Sequence, residues 1–522
     1  MKKKLKAVLA GAVLALSATA YAGGSSVISS VNMGSAEIGA YDSTTGRLFV
    51  ANSDGLRALT LNPDGTLTLD GTVLSHPGAT SVTCKNGYVA VSYTDNLKQN
   101  KGHVAVYKSD DFSAPAKIFE TGYLPDMVTF THDGKKILVA NEGEPNDTYT
   151  VDPAGSVSVI NLQNGLGSAT VSHVGFTGWD SQKTQLQNAG VRIFGKNATV
   201  SQDLEPEYIT VSSDNKFAYV GLQENNAVAK LDLQTNQIVS INSCGLKVYS
   251  KDTNQSNFSD KDGTATPPAD AYGITVYGMR QPDSIGSITR NGKTYIITTN
   301  EGDGRDYDGF SEEARAGEVE WSTDVFTPEQ IETLKDKTKL GRLKISTAAS
   351  DTDNDGIMDR VVSFGGRGFT IYNENMQEIF DCGDTLEQAL SAAGLHVEKR
   401  DDDKGPEPEG LAIGELMDGR TVLFVGLERA HAVAVFDISG DPDSEDYSPA
   451  LLTILNNNGD EEPEGLEFIS GADNPTGQDL LMVCNEETGT VTLYNVTDVP
   501  EPGTLVLLSA GALALIRRRR KK

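Results

Sequence analysis

Glu205-Pro206-Glu207-Tyr208-Ile209-Thr210-Val211 opens the unit that decides how this chain folds. A proline and an acid stand before an apolar, β-branched run of strand character. Ser213-Asp214-Asn215 supplies a turn, a second strand-like run ends in Gln223-Glu224, and a third covers Ala227–Leu233. The same order restarts at Leu124-Pro125-Asp126, Arg280-Gln281-Pro282-Asp283, Glu407-Pro408-Glu409 and Glu462-Pro463-Glu464. Their second strands end in Asn141-Glu142, Asn300-Glu301, Leu427-Glu428 and Asn485-Glu486. From proline to that glutamate the five copies count 17, 18, 19, 20 and 23 residues in chain order, a drift that the turn can absorb. Two weaker copies come first, Gly39–Leu61 and Pro77–Tyr107.

Self-similarity at a fixed period marks a repeat architecture. Seven copies of three or four short strands predict an all-β fold, a β-propeller of about seven blades, where radial repetition protects the sheet edges. A pair of β-sandwiches would not require the recurring Pro-acid to Glu spacing. Two stretches interrupt the pattern: the Gly- and Gln-rich Asn164–Leu204, and a large insertion from Glu301 to about Gly405 that carries short helices. Thr327-Pro328-Glu329-Gln330 predicts an N-cap, a first-turn proline and a capping-box glutamine before Ile331–Leu340. Asp384–Leu395 predicts a second helix, closed at Gly394.

Both ends carry processing signals. Lys2-Lys3-Lys4 and Lys6, the apolar Ala7–Ala18 and Ala20-Tyr21-Ala22 form a signal peptide over residues 1–22. At the other end (499–522), Pro500-Glu501-Pro502 precedes the apolar run Thr504–Ile516 and six cations, Arg517–Arg520 with Lys521 and Lys522. Thirteen residues at ~1.5 Å rise make ~20 Å of helix, short for a hydrocarbon core of ~30 Å. The tail resembles the PEP-CTERM sorting signal, also called the ice-binding protein C-terminal motif, of exopolysaccharide-making Gram-negative bacteria. That resemblance implies cutting near Pro-Glu-Pro by an exosortase and only transient membrane contact through the C-terminal helix. It also implies a destination in the periplasm, at the cell surface or in the extracellular matrix.

Setting aside the leader's four lysines, the tail's six cations and Glu501, the body 23–498 has a formal charge of about −38, against −29 for the whole chain. Such a body lacks the basic surface that nucleic acid or anionic lipid requires, and it favours cations. Cys84, Cys244, Cys382 and Cys484 lie far apart with no metal-ligand spacing. Their even number permits disulfides of three connectivities in an oxidising compartment.

Asn300-Glu301-Gly302-Asp303-Gly304-Arg305-Asp306-Tyr307 and Phe310-Ser311-Glu312-Glu313-Ala314-Arg315, with Asp126–Glu144 and Gly405-Pro406-Glu407-Pro408-Glu409-Gly410-Leu411, resemble the choice-of-anchor I domain. The resemblance covers most of residues 30–497. It implies an extracellular propeller-like protein, of a family in which alkaline-phosphatase and phytase or esterase labels are common.

Three constellations could carry chemistry. Asp351-Thr352-Asp353-Asn354-Asp355-Gly356-Ile357-Met358-Asp359 places Asp351, Asp353, Asp355 and Asp359 around a turn glycine, the pattern of a short D-x-D-x-D-G calcium loop. Val362 stands where an EF-hand needs an acid. Asp126, Glu207, Asp283, Glu409 and Glu464, each following the repeat proline, reach one level near the axis if each opens an inner strand. There they would raise one another's pKa or capture cations, or else bind backbone N–H groups and lock blade to blade. Glu301, Asp303, Arg305, Asp306 and Arg315, with Arg367, Arg429 and His431, could clamp phosphate beside a bound Ca²⁺, or form an ion-pair network that fixes the insertion. The reading is a secreted, calcium-binding propeller, monomeric and matrix-associated, that binds exopolysaccharide or a phosphorylated ligand. The alternative is an extracellular Ca²⁺-dependent phosphoesterase.

Overall fold

The structure, a computed structural model, describes residues 26–52, 54–76, 78–250, 254–264 and 271–500. Its frame is seven four-stranded antiparallel sheets, and each begins in one of the seven sequence copies. Their first strands are Gly39–Asp42, Ala79–Lys85, Pro125–Phe130, Pro206–Val211, Ile285–Arg290, Pro408–Glu415 and Pro463–Ile469. These strands touch one another in a closed circuit, the last against the first, which makes the fold a β-propeller. The ring is sealed by the chain's two ends. Ser26–Asn32 pairs with Thr490–Asn495 as the outermost strand of the last sheet.

The apolar runs follow from this arrangement. Second strands such as Lys136–Asn141 and Phe217–Leu222 are buried over five consecutive residues, because a neighbouring sheet covers each face. One apolar layer fills each gap between neighbouring sheets. Phe49 and Val91 pack between the first and second sheets, and Leu48 and Met482 between the last and the first. Burial fades outward: Thr170–Gly175, a fourth strand, keeps only Val174 buried.

That gradient corrects two sequence boundaries. Part of the Asn164–Leu204 interruption is the strand Thr170–Gly175, which shows no apolar alternation because it lies on the exposed rim. The large insertion does not stand between two blades. It splits the fifth sheet between Lys293–Asn300 and Gly368–Asn373, and Glu378–Asp381 then completes that sheet. The inserted segment packs Trp321, Leu334 and Ile345 into one core with Phe258, which precedes the fifth sheet. A side sheet of Leu246–Tyr249, Val276–Met279 and Val361–Ser363 supports it, the last pair being parallel.

The first inserted helix covers Pro328–Lys335, with the Thr327/Gln330 capping box formed, and stops short of Leu340. Asp336 adopts an extended backbone, and its side chain takes Thr338 N and Oγ1, a turn that competes with another helical turn. The second covers Thr385–Ala393 and ends on Gly394 in the left-handed region. All four cysteines are free thiols. The expected signal peptide, Glu501, Pro502 and Thr504–Ile516 lie outside the described residues, which end at Pro500. Among the described residues no helix is long and apolar enough to cross a membrane.

Candidate functional site

The repeated Pro-acid pair makes a β-bulge. Pro125, Pro206, Pro408 and Pro463 sit opposite Asn141, Leu222, Leu427 and Asn485, and regular pairing resumes only at Val128, Ile209, Leu411 and Leu466. The acid and its successor fall in the gap, so the acid is re-aimed from the sheet toward the axis. Proline tolerates the first place because it has no N–H to donate. Before the proline, Leu124, Gln281, Glu407 and Glu462 hold positive φ of 46–58°, a cost repeated around the ring. The carbonyls of Leu124, Glu407 and Glu462 accept the backbone N–H of Glu142, Glu428 and Glu486 at 3.0, 3.0 and 2.8 Å. This bond ties the proline signal to the acidic turn and explains why the two recur together although the turn between them varies in length. After the acid, Gly410 lets two inner strands close in, since a Cβ there would lie 1.9 Å from the Glu464 carbonyl oxygen.

Asp126, Glu207, Asp283, Glu409 and Glu464 line one cavity of about 120 Å³, together with Ile38, Thr80, Ser81, Met127, Tyr208 and Ser284. Glu207 Oε2, Glu409 Oε2 and Glu464 Oε2 are buried without a hydrogen-bond partner. Burial, and then the neighbouring carboxylates, push Asp126 up to about 7 and Glu207, Asp283, Glu409 and Glu464 well above the carboxylate range. Five such groups cannot all be ionised around so small a space unless a cation joins them.

The acidic turns form a second tier at the mouth. Gln223 Nε2 donates to Glu301 Oε2 at 2.8 Å and reaches Asp283 Oδ2 at 3.5 Å, linking the tiers. Glu301, Glu407 and Glu428, all buried, bring carboxylate oxygens within 4.8 Å of one another. Lys404 Nζ lies 2.5 Å from Glu301 Oε1, 3.5 Å from Glu407 Oε2 and 3.8 Å from Asp303 Oδ1. Arg400 Nε donates to Glu407 Oε1 at 2.7 Å, and Arg429 Nε to Glu407 Oε2 at 3.2 Å. Burial pushes Asp303 up to about 7 and Glu428 up to about 8.

The remaining arginines lie elsewhere. Buried Arg305 gives Nη1 to Asp203 Oδ1 at 2.7 Å and meets Glu205 Oε1 at 2.9 Å. Its guanidinium lies over Phe194. Arg367 is buried on Glu387, Ser256 and three carbonyls. Arg315 pairs with Asp402 at 2.8 Å. His431 Nδ1 accepts from Glu462 N at 3.0 Å, and Asp306 is exposed on a hairpin with Ser311. These groups therefore do not form one cluster.

In the Asp351–Asp359 loop, Asp351, Asp353 and Asp359 bring oxygens within 4.8 Å, while Asp355 stands outside that group. Asp351 accepts Asn354 N at 2.7 Å and Gly356 N at 2.8 Å, which shapes the turn. Sequence reasoning had not singled out Lys404 or Arg400. The first was visible as the one cation ending Asp401-Asp402-Asp403-Lys404.

An acid-lined propeller whose tail resembles a sorting signal defines a class of exported surface proteins, and comparison with known proteins agrees. The choice-of-anchor I domain matches residues 37–441, and the chain belongs to that family. A PEP-CTERM protein-sorting motif matches residues 498–521, which makes the protein an exported substrate of an exosortase in a Gram-negative bacterium. Gigasin-3a of Magallana gigas is 27% identical over 201 residues, covering 33% of this chain and 70% of that protein. The mesenchyme-specific cell surface glycoprotein of Strongylocentrotus purpuratus is 26% identical over 268 residues, 42% of this chain. The chain spans about a third (32%) of that relative's length. Among solved structures, the β-propeller domain of Cps50 (Swd1) from Myceliophteria thermophila aligns with TM-score 0.45 and 9% identity over 91% of this chain and 100% of that one. Virginiamycin B lyase from Staphylococcus aureus aligns with TM-score 0.40 and 10% identity over 90% and 98%.

Proposed function

We propose that this protein is a surface or matrix-associated binding propeller whose axial channel takes up a divalent cation, calcium in its exported setting. The observation that carries this is the convergence of three buried, unpartnered oxygens, on Glu207, Glu409 and Glu464, into one cavity with Asp126 and Asp283. A buried acceptor without a partner costs about 1–3 kcal/mol, and more when charged. A hard cation supplies what the protein does not, and the cavity holds roughly four waters' worth of space, enough for an ion with part of its hydration. The Asp351–Asp359 loop is a second, more exposed calcium site in this reading. The sea-urchin relative's name, a cell surface glycoprotein, agrees with a role outside the cell. The bound ion would stiffen the inner ring and present the body, as a monomer, to matrix exopolysaccharide or a phosphorylated ligand.

Calorimetric titration of the mature protein with CaCl₂ tests the channel. Glu409→Gln with Glu464→Gln should remove one bound Ca²⁺, and Asp353→Ala with Asp355→Ala a second, weaker one. Unchanged calcium uptake in the Glu409/Glu464 variant would overturn the channel reading.

A further inference from the structure

The chain leaves the ring at the end opposite its acidic mouth. The sixth sheet's first strand, Pro408–Glu415, starts at the mouth with its Pro-acid bulge and runs away from it, so the turn 416–420 lies at the far end. Glu415 pairs with Thr421 beside that turn, and Pro408 with Leu427 beside the mouth. In the last sheet Leu480–Asn485 returns to the mouth and Thr490–Asn495 runs back from it, which sets Asn495 opposite Leu480 at the far end. The eight residues of Pro408–Glu415, at ~3.3 Å each, put the two ends about 25 Å apart. The exit is held in place. Val499 is buried between the sixth and seventh sheets. Arg420 Nη2 donates to the Val499 carbonyl at 2.8 Å, and Nη1 to the Pro500 carbonyl at 3.1 Å. Asp418 Oδ2 accepts Arg420 Nε at 2.7 Å and so aims the fork. The sorting motif, matched from residue 498, therefore begins on the propeller's own surface with no linker.

We infer that this far-end face, around Met417 and Arg420, is where the propeller meets its exosortase, and that Arg420 is a positioning residue that latches the sorting motif for cutting. The inference stands whether or not the channel binds calcium, and it takes the apolar run 504–516 to enter the membrane. Four peptide steps separate Pro500 from Thr504, a reach of at most ~14 Å. The polar layer outside the hydrocarbon takes up roughly 5–7 Å of that reach. An enzyme cutting near Pro500-Glu501-Pro502 must therefore work in a gap thinner than a small domain, against this face of the body. Met417 is 65% exposed in the same turn, an apolar side chain open to a partner. Two prolines in three residues stiffen the motif, so the direction set by the latch carries into it. A peptide already held in one conformation loses less freedom when an enzyme takes it. The same geometry turns the acid-lined mouth away from the membrane and toward the matrix.

The test uses the full chain in the bacterium that exports it. The photo-reactive p-benzoylphenylalanine replaces Met417, or Asp306, which is exposed on the hairpin that follows Glu301 at the mouth. Irradiation should join the unprocessed chain to the exosortase from position 417 and not from 306. No enzyme adduct from 417 (a lipid adduct alone included), or an equal one from 306, would overturn the interface. An unprocessed chain that fractionates away from the membrane would overturn it too. Pulse-chase labelling then reads the latch. Arg420→Met should slow processing at least threefold, and Arg420→Lys, able to reach one carbonyl, should fall between. Processing at the wild-type rate or faster in Arg420→Met would overturn the positioning role. Should Arg420→Met not fold, four glycines inserted between Asp498 and Val499 keep both body and motif while parting the motif from the latch. That chain should also be cut at least threefold more slowly, and an equal or faster rate would overturn the role.

Discussion

Calcium entry into the channel should expel protons, and their number can be worked from the ring. Asp126 sits at about 7, and Glu207, Asp283, Glu409 and Glu464 are pushed higher still, by burial first and then by one another. At pH 6 a group of pKa 7 is about 90% protonated. A doubly charged ion needs about two ionised carboxylates, so binding at pH 6 should release about two protons. The apparent Kd should then fall about 100-fold per pH unit gained, or about 2.7 kcal/mol. The assay is calorimetry at pH 6 in two buffers of different ionisation heat, repeated at pH 7. The difference between the buffers' heats counts the protons directly. A heat independent of buffer at pH 6, with an affinity that does not change between pH 6 and 7, would refute the coupling between the acid ring and the ion.

The calcium-free protein should lose stability as pH rises. Asp126 has a folded value of about 7 against an ordinary value of 3.8, so the folded state binds more protons between those limits. This group should cost about 1.4 kcal/mol per pH unit across that window; urea melts at pH 5 and 7 that favour pH 7 would contradict this. Arg305→Met strands Asp203 and Glu205 without their cation and should cost about 3–5 kcal/mol, read as a lower urea midpoint. Gly410→Ala forces a Cβ onto the Glu464 carbonyl and should cost about 1–3 kcal/mol or more, with calcium binding weakened as the inner strands part. Since Arg305, Arg315 and Arg367 are engaged in ion pairs, the mature protein should not hydrolyse p-nitrophenyl phosphate with added Ca²⁺, and turnover lost on Glu301→Gln would restore the phosphoesterase reading.

Much of the frame was legible because its causes are local and repeated. Proline without an N–H, an acid beside it, a turn and an apolar run recur wherever the same bulge and paired strands recur. The outer strands were harder to read. Thr170–Gly175 is exposed on most of its length, so its sequence carries little alternation, and the split of the fifth sheet by residues 301–367 breaks the period that would have revealed Gly368–Asn373. Lys404 was hidden for a related reason: its partners Glu301 and Glu407 belong to different sheets.

By itself the chain determined its C-terminal sorting signal, its acidity, its repeated strands and the level at which five acids recur. Those depend on residue type and spacing along one dimension. Only the closed ring decided that Asp126, Glu207, Asp283, Glu409 and Glu464 share one cavity, that three of their oxygens lack partners, and that a lysine from a distant loop stands at its mouth. Burial and carboxylate repulsion are set by distances across the axis, and no spacing along the chain contains them.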